Sequence, residues 1–551
     1  MKILLMLGGQ FYPYDACGRI LSDCLTKAVG VEVAATRDPK RFTRLAGFDA
    51  VVIYAQGGRL TPAQEKGLTS FVRGGGGLVG IHSAAAAYNE NKAYVEMIGS
   101  QLAGCGPVAE FSVEHADDYE TILPRMEKAW TVCDEFYELA MRARGTVRPF
   151  QYGWWHGQRK MLGYVRDYGK GRVLYTALGH DEATFRHAEF QNLLLKAVRY
   201  VTRATDGEKP LRWGIVGYGP ACGMGSHHAS QVKATPQMEL VAVCDPNPDR
   251  LAIARKEQGE ALAYAADGRE LIEGKLCDGV TVIVPHHLHA EVALPFLEAG
   301  LHVISEKPFA ITPEECDRMI AASRKTGAVL SVYHQRHWDG DMWTIRQIVE
   351  SGAIGEVFSI EHNILYYGGH GQGWRADKRI SGGLLYDFGS HGFEKIFQLV
   401  PKADAAGGPI NRRAVLFGNF LKKVWHDGTN EDHARAYVKF DTALEAEMTQ
   451  SRISTAGKPR WVVCGTKGSC VYTGGAIEVK QYVNGAFRTT TVPEVKGLNY
   501  LNYYRNFADH VYSGVPLIIT PGLAKAVIQC IHGCEIASRE NRLVEVAFDF
   551  D

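Results

Sequence analysis

Asp387 and His391 stand four positions apart in Gly382-Gly-Leu-Leu-Tyr-Asp387-Phe-Gly-Ser-His391. On a helix that spacing puts both side chains on one face, so the carboxylate can orient the imidazole while the ring faces a ligand. A histidine, with an ordinary pKa of about 6.5, suits the removal of a hydroxyl proton as a hydride leaves the carbon. Lys307, about eighty residues earlier, ends the β-branched run Gly300-Leu-His-Val-Ile-Ser-Glu306-Lys307-Pro308, where an ammonium can steady a developing alkoxide. Plainer readings exist for both: a helix-surface Asp–His pair, and a strand closed by a solvated charge pair. A second group comprises His82, Asp134-Glu135-Phe-Tyr137 and Gly179-His180-Asp181. Two histidines and carboxylates at strand ends can bind a divalent metal, through His82, Glu135 and His180, or do acid–base work; the alternative is histidines that cap strands by hydrogen bonds.

The chain around these residues is ordinary soluble globular material. At 551 residues it is too long for one core, and about three to four domains are expected. Lys plus Arg and Asp plus Glu each number 61, so no basic excess points to nucleic acid or anionic lipid, and a small, roughly neutral partner fits better. Met1-Lys-Ile-Leu-Leu-Met-Leu-Gly-Gly reads as a first buried strand, not a signal peptide, because its apolar run is short and no small-residue cleavage site follows. No stretch approaches the roughly 18 apolar residues of a membrane span. Twelve cysteines without any Cys-x-x-Cys read as reduced thiols of a cytoplasmic protein.

Strand-like runs at Lys2–Leu7, Val31–Ala35, Ala50–Tyr54, Gly77–Ile81 and Arg172–Ala177 alternate with helical segments such as Thr61–Arg73 and Glu189–Thr202. That alternation predicts an α/β domain, a parallel sheet with helices on both faces. Gly74-Gly75-Gly76-Gly77-Leu-Val-Gly-Ile runs into His82-Ser83-Ala84, a strand entering small residues in the manner of a nucleophile elbow. Class I glutamine amidotransferases carry a cysteine at such an elbow; His82 in that place sets thiol chemistry aside. With Asp134-Glu135-Phe-Tyr137 and Gly-Lys-Gly-Arg172-Val-Leu-Tyr-Thr-Ala-Leu-Gly-His180-Asp181, the first 200 or so residues resemble the ThuA-like trehalose-utilisation family. The resemblance implies a flavodoxin-like, amidotransferase-type fold tied to keto-sugar breakdown. One departure stands out: the family's histidine soon after the first strand is missing from Gly8-Gly-Gln-Phe-Tyr12-Pro-Tyr-Asp15.

Residues 1–204 are therefore expected as one domain, 205–211 as a polar linker broken by Gly and Pro, 212–334 as a dinucleotide-binding domain and 335–551 as a third. Leu211–Val216 enters Gly217-Tyr-Gly219-Pro-Ala-Cys-Gly223-Met-Gly225, a glycine loop that lets backbone approach a pyrophosphate at a helix N-terminus. Cys222 stands where the third glycine belongs, and a three-residue insertion would give that role to Gly225. Asp245, 28 positions after Gly217, ends the next strand at the place of a ribose 2′-hydroxyl partner; the alternative is a cap for the helix near Pro248. An aspartate there favours NAD over NADP, with Arg250 close enough to temper the preference. Pro285-His286-His287-Leu-His289 follows a further strand, and the unit closes at Glu306-Lys307-Pro308. From about 211 to 540 the chain closely resembles the glucose–fructose oxidoreductase and inositol dehydrogenase family. The resemblance implies that Pro285, His286, His289 and Glu306 line the cofactor crevice, that Lys307 touches both nicotinamide and substrate, and that the Lys307–Pro308 bond is cis.

Beyond His334-Gln335-Arg336-His337-Trp338, strands near Val357–Ile364, Arg435–Phe440, Leu444–Ser451, Val462–Gly465 and Gly468–Tyr472 predict an α+β domain with an open, largely antiparallel sheet. Its free face is expected to pair with a second subunit, on the family resemblance. Arg336, Tyr367, Trp374, Arg375 and His391 are candidate sugar contacts; a packing cluster in a loop is the alternative for the aromatic ones. Joined, the halves imply an NAD-dependent oxidation of a sugar ring hydroxyl, C3 by preference, coupled to processing of the keto product. A redox-neutral NAD-dependent glycosidase and an idle sugar or NAD(H) sensor are the alternatives.

Overall fold

The computed structural model describes the chain except residues 27–29, 120–121, 124–125, 127, 144, 156, 206–208, 220–222, 372, 403–407, 497–499 and 551. It divides into two compact units: Met1–Lys209 with Asp509–Pro516, and Pro210–Ala508 with Leu517–Asp551. Parts of the expected linker and the expected insertion at Cys222 lie outside the described residues.

The first unit holds one sheet: β1 (Lys2–Gly8), β2 (Glu32–Thr36), β3 (Ala50–Ala55), β4 (Gly77–Ile81), β5 (Ser100–His115), β6 (Ala129–Met141), β7 (Arg148–Trp155), β8 (Gln158–Tyr168) and β9 (Gly171–Thr176), in the order β2-β1-β3-β4-β9-β8-β7-β5-β6. The strands β2, β1, β3, β4 and β9 are parallel. Every residue of β3 and of β4 is buried, the signature of strands covered on both faces. Thr61 caps the helix Pro62–Arg73 in a capping box with Gln64, fixing where one covering helix begins. The expected parallel sheet thus accounts for five strands, and residues 100–168 add four antiparallel ones that the sequence reading passed over. Gly104, Gly106 and Pro107 interrupt the alternation of β5, and its pairing with β6 shifts register there.

In the second unit β10 (Leu211–Val216), β11 (Met238–Cys244), β12 (Ala263–Ala265), β13 (Gly279–Val282), β14 (His302–Ser305) and β15 (Leu330–Val332) form a parallel sheet ordered β12-β11-β10-β13-β14-β15. The order reverses between β10 and β13, which opens a crevice at the carboxyl ends of those strands. The third sheet comprises β16 (Val357–Leu365), β17 (Arg413–Leu421), β18 (His433–Phe440), β19 (Glu445–Ser451), β20 (Trp461–Gly465), β21 (Gly468–Tyr472), β22 (Ala476–Val483), β23 (Ala486–Pro493) and β24 (Val544–Ala547). Its order is β23-β22-β21-β20-β16-β19-β18-β17-β24, antiparallel throughout except between β16 and β19. The helices Leu384–Leu399 and Pro521–Glu540 pack on this sheet and on one another.

Gly217 turns the chain out of β10 with a φ of +92°, and a Cβ there would stand 2.0 Å from the Ile283 carbonyl oxygen. Gly217→Ala is expected to cost about 2 kcal/mol or more, read as a lowered melting temperature with weakened NADH binding. An unchanged melting curve would mean the turn relaxes freely.

Candidate active site

A cavity of about 410 Å³ lies at the crevice, lined by Gly219, Pro285, His286, His289, Glu306, Lys307, Arg336, Trp374, Arg375, Asp387 and His391 among the expected residues, and by Arg250, Gln335 and Phe388 besides. Strand β14 delivers Lys307 to its rim, and the Lys307–Pro308 bond is cis. Lys307 Nζ donates to Asp387 Oδ1 at 2.5 Å and to the Asp387 carbonyl oxygen at 3.2 Å. Burial would raise the Asp387 carboxyl, but the Lys307 ammonium outweighs it and holds the group well below the usual carboxylate range.

This pairing corrects the expected Asp387–His391 partnership. The helix Leu384–Leu399 does carry both residues, yet the carboxylate is engaged by Lys307 and lies 4.0 Å from Arg375 Nε. A fixed ammonium attracts a carboxylate more strongly than a neutral imidazole does. His391 is buried, and its Nδ1 has no hydrogen-bond partner. Burial, then the charges of Lys307 and Arg336, push its pKa well below the ordinary value, so the ring stands neutral and able to accept a proton. Its neighbour at 5.8 Å between ring centroids is His334, fully buried with both nitrogens unpartnered and pushed down to about 4 by burial. His334 was not among the expected site residues, although it opens the His-Gln-Arg-His-Trp run.

Around this centre, Trp374 packs edge-on against His286 at 4.7 Å and carries the Arg375 guanidinium 4.3 Å from its indole. Arg336 pairs with Asp339 at 3.2 Å. His286 Nδ1 donates to the Ser381 carbonyl at 2.7 Å. His289 places Nδ1 2.6 Å from the Pro308 carbonyl and Nε2 3.0 Å from that of Val284, bracing the Lys-Pro turn. Burial lowers the pKa of both histidines. Glu306 faces inward: it accepts from His228 Nε2 at 3.0 Å and from the Lys307 N–H at 2.9 Å. His228 in turn meets the Tyr504 hydroxyl at 2.7 Å, and Tyr504 meets Thr281 at 2.9 Å.

Four expected residues lie off the cavity. Asp245 is 1% exposed and accepts from the Tyr218 N–H at 2.7 Å and the Asn247 N–H at 2.9 Å, so it fastens the glycine loop from beneath. The helix at Pro248 is capped by Asn247 instead. Gly217 supplies the turn, and Gly225 sits in the helix Met224–Lys233 where a Cβ would stand 2.8 Å from the Tyr218 ring. Tyr367 is 56% exposed and packs against Trp425, away from the cavity lining. Gly219 fits a cofactor backbone approach, since a Cβ there would meet only the Arg250 guanidinium, 3.6 Å away.

The first unit gathers a separate cluster. Strand β4 ends at Ile81, and the next residue, His82, has a φ of +44° that is strained for a residue with a side chain. The ring is fully buried, stacks on Tyr137 at 3.9 Å, and its Nδ1 lies 2.6 Å from the Ala177 carbonyl oxygen. Glu135 Oε2 stands 3.4 Å from His82 Nε2 and 3.2 Å from His180 Nδ1. Tyr12 donates to the same oxygen at 3.0 Å and meets the Tyr137 hydroxyl at 2.6 Å. Burial opposes ionisation of Glu135, but its polar neighbours His82, Cys105 and Tyr12 bring it down to about 2. Asp134 is expected beside Glu135 but plays a different part: it accepts the N–H groups of Glu135, Gly179 and His180, and its pKa is raised by burial. Tyr12, not among the expected site residues, lies in the segment after β1 from which the family's histidine is missing.

Burial keeps His286, His289, His334 and His391 below the roughly 6.5 of an unfolded chain, so below that pH the unfolded state binds more protons. The stability this represents is complete above about pH 6.5 and is lost as pH falls toward the folded values. The melting temperature is expected to drop between about pH 7 and pH 5, less steeply in His334→Gln, as followed by circular dichroism.

A family model described as "Trehalose utilisation" (ThuA) matches residues 9–201. The "Oxidoreductase family, NAD-binding Rossmann fold" model matches 211–334, and the "GFO/IDH/MocA C-terminal domain" model 342–471. The scyllo-inositol 2-dehydrogenase (NADP(+)) IolW of Bacillus subtilis is 28% identical over 293 residues, 48% of this chain and 78% of the relative. Myo-inositol 2-dehydrogenase of Thermotoga maritima is 30% identical over 259 residues, 44% of this chain and 74% of the relative. D-glucoside 3-dehydrogenase of Escherichia coli is 34% identical over 184 residues, 33% of this chain and 52% of the relative. An NAD-binding protein from Listeria innocua shares the fold, with a TM-score of 0.54 at 24% identity over 61% of this chain and 97% of the other. With Lys307 and Asp387 joined across one crevice, the chain belongs to the GFO/IDH/MocA family of oxidoreductases, with an NAD-binding Rossmann fold and a ThuA domain ahead of it.

Proposed function

We propose that this oxidoreductase oxidises a ring hydroxyl of a sugar or glycoside, at C3, and that the first unit processes the keto product. The carrying observation is the Lys307–Asp387 ion pair beside a buried, neutral His391 with an unpartnered nitrogen. A nicotinamide held in the crevice by the Gly219 loop, His286 and Lys307 would supply the hydride acceptor. His391 takes the hydroxyl proton, Lys307 faces the developing alkoxide, and Asp387 holds Lys307 in place. Arg336, Trp374 and Arg375 offer an aromatic face and guanidinium donors to the ring. Oxidation at C3 draws support from the D-glucoside 3-dehydrogenase relative, of which the chain covers 52%.

NAD is the proposed cofactor on the match to the "Oxidoreductase family, NAD-binding Rossmann fold" model. Arg250, on the cavity wall 3.7 Å from Asp245, is a specific reason to measure NADP beside it. The proposed domains run 1–204, 212–334 and 335–551, with 205–211 as linker. The proposed homo-oligomer forms through the C-terminal sheet, where the β22–β23 hairpin exposes Tyr482 (63%) and Phe487 (86%). A reducing, cytoplasmic setting suits the free thiols of the described residues.

A C3 ketone acidifies the C2–H; a base then takes that proton, the C1–O bond breaks, and the leaving oxygen is reprotonated. His82 or His180 would supply the base. Water addition and re-reduction would make the cycle a redox-neutral glycosidase, the second reading.

The deciding measurement follows nicotinamide absorbance and free sugar together across a glycoside panel. Reduced cofactor accumulating with keto-sugar is expected; sugar release with undiminished NAD would favour the glycosidase, and silence in both channels despite tight nucleotide binding would favour a sensor. Lys307→Met and His391→Asn should each lower kcat by about 10²- to 10⁴-fold with nucleotide affinity nearly unchanged. Alanine at both His82 and His180 should abolish turnover of a purified keto-glycoside, and unchanged turnover would end the coupling.

A further inference from the structure

We infer that His82, Glu135 and His180 form a three-ligand site for a zinc-type divalent cation, whose open positions take the ketone oxygen and adjacent hydroxyl of a keto-sugar. The cation site stands on geometry alone; its ligand class rests on the proposed keto-sugar reading. The three donor atoms all lie within 4.8 Å of one another. Glu135 Oε2 is 3.4 Å from His82 Nε2 and 3.2 Å from His180 Nδ1, close to the roughly 3.3 Å between donors around one tetrahedral zinc.

His82 makes the strongest argument. Its Nδ1 is committed as a donor to the Ala177 carbonyl, which leaves the lone pair on Nε2. That nitrogen is fully buried, has no hydrogen-bond partner, and is aimed at a carboxylate oxygen 3.4 Å away. A buried imidazole lone pair facing a carboxylate oxygen is unfavourable unless a proton or a metal cation stands between them, and the second imidazole, His180, on the same oxygen suits the metal. The fold also spends strain to aim this ring: His82 holds a φ of +44° and is clamped by the stacked Tyr137.

The surroundings complete the arrangement. Asp134 fixes the backbone of both Glu135 and His180 through their N–H groups, so two of the three ligands are positioned by one carboxylate. Tyr12, held by Tyr137, donates to Glu135 Oε2 and steadies that oxygen. Two imidazoles and one carboxylate suit Zn²⁺ or Co²⁺ and disfavour Mg²⁺ and Ca²⁺, which prefer oxygen alone. Three protein ligands leave one exchangeable position at a four-coordinate zinc and two at a five-coordinate one, unlike a closed structural site. A vicinal hydroxyketone presents two oxygens at chelating distance and matches those free positions.

The test uses the full-length protein, stripped with a chelator and dialysed against Zn²⁺, Co²⁺ or Mg²⁺, with metal content from elemental analysis and a visible spectrum of the cobalt form. One Zn²⁺ or Co²⁺ per chain, no retained Mg²⁺, and a cobalt d–d band are expected. Glu135→Gln and His180→Gln should weaken zinc binding by at least about 100-fold without altering the far-ultraviolet circular dichroism. Dihydroxyacetone, the smallest hydroxyketone, should shift the cobalt band in the wild type. Absence of stoichiometric metal, or equal affinity in folded variants, would overturn the site. A cobalt band indifferent to dihydroxyacetone would overturn the ligand class. Neither readout depends on NADH formation, so failure here and failure of the dehydrogenase reading remain distinct.

Discussion

The ion pair between Lys307 and Asp387 is the constraint on which the second unit's chemistry depends. It spans eighty residues of sequence and ties the carboxyl end of a parallel strand to the first turn of the helix Leu384–Leu399. The side chains are only 16% and 27% exposed, so solvent screens the attraction incompletely. Asp387 also lies where the positive end of the helix dipole favours an anion. The pair is shorter than the 4.0 Å approach of Arg375 to the same carboxylate, and it ties the helix that carries His391 to the crevice rim.

Beneath the pair runs a string of buried polar groups, from Glu306 through His228 and Tyr504 to Thr281, which also accepts from Trp213 Nε1 at 2.8 Å. Each member is hydrogen-bonded on the inside, as buried polar groups must be. The string leaves Glu306 anionic beside Lys307, while burial and nearby cations keep His391 and His334 neutral. Charge is thus divided within a small volume: carboxylates held ionised, histidines held neutral.

Most of the architecture was legible because strands covered on both faces read as continuous apolar runs, and Gly, Asp and Pro mark their ends. Eleven expected residues do line one cavity. What escaped was decided by partners distant in sequence. Spacing placed Asp387 and His391 on one helix face, but could not reveal that Lys307 would take the carboxylate. Asp245 looked like a ribose partner at a strand end, yet the glycine loop folds over it and uses its oxygens. Tyr367 and Trp374 looked alike as loop aromatics, and only the folded loop separates the exposed one from the one beside His286. The long hairpin β5–β6 was hidden by glycines and a proline that broke its period.

That hairpin separates two kinds of inheritance in the first unit. His82 and His180 issue from the ends of central parallel strands, where any change disturbs the core, whereas Glu135 arrives on β6, the outermost strand of the sheet. A lineage could therefore lose, retune or regain the centre by editing one peripheral ribbon while the framework stays intact. Relatives that share the same scaffold need not share its chemistry.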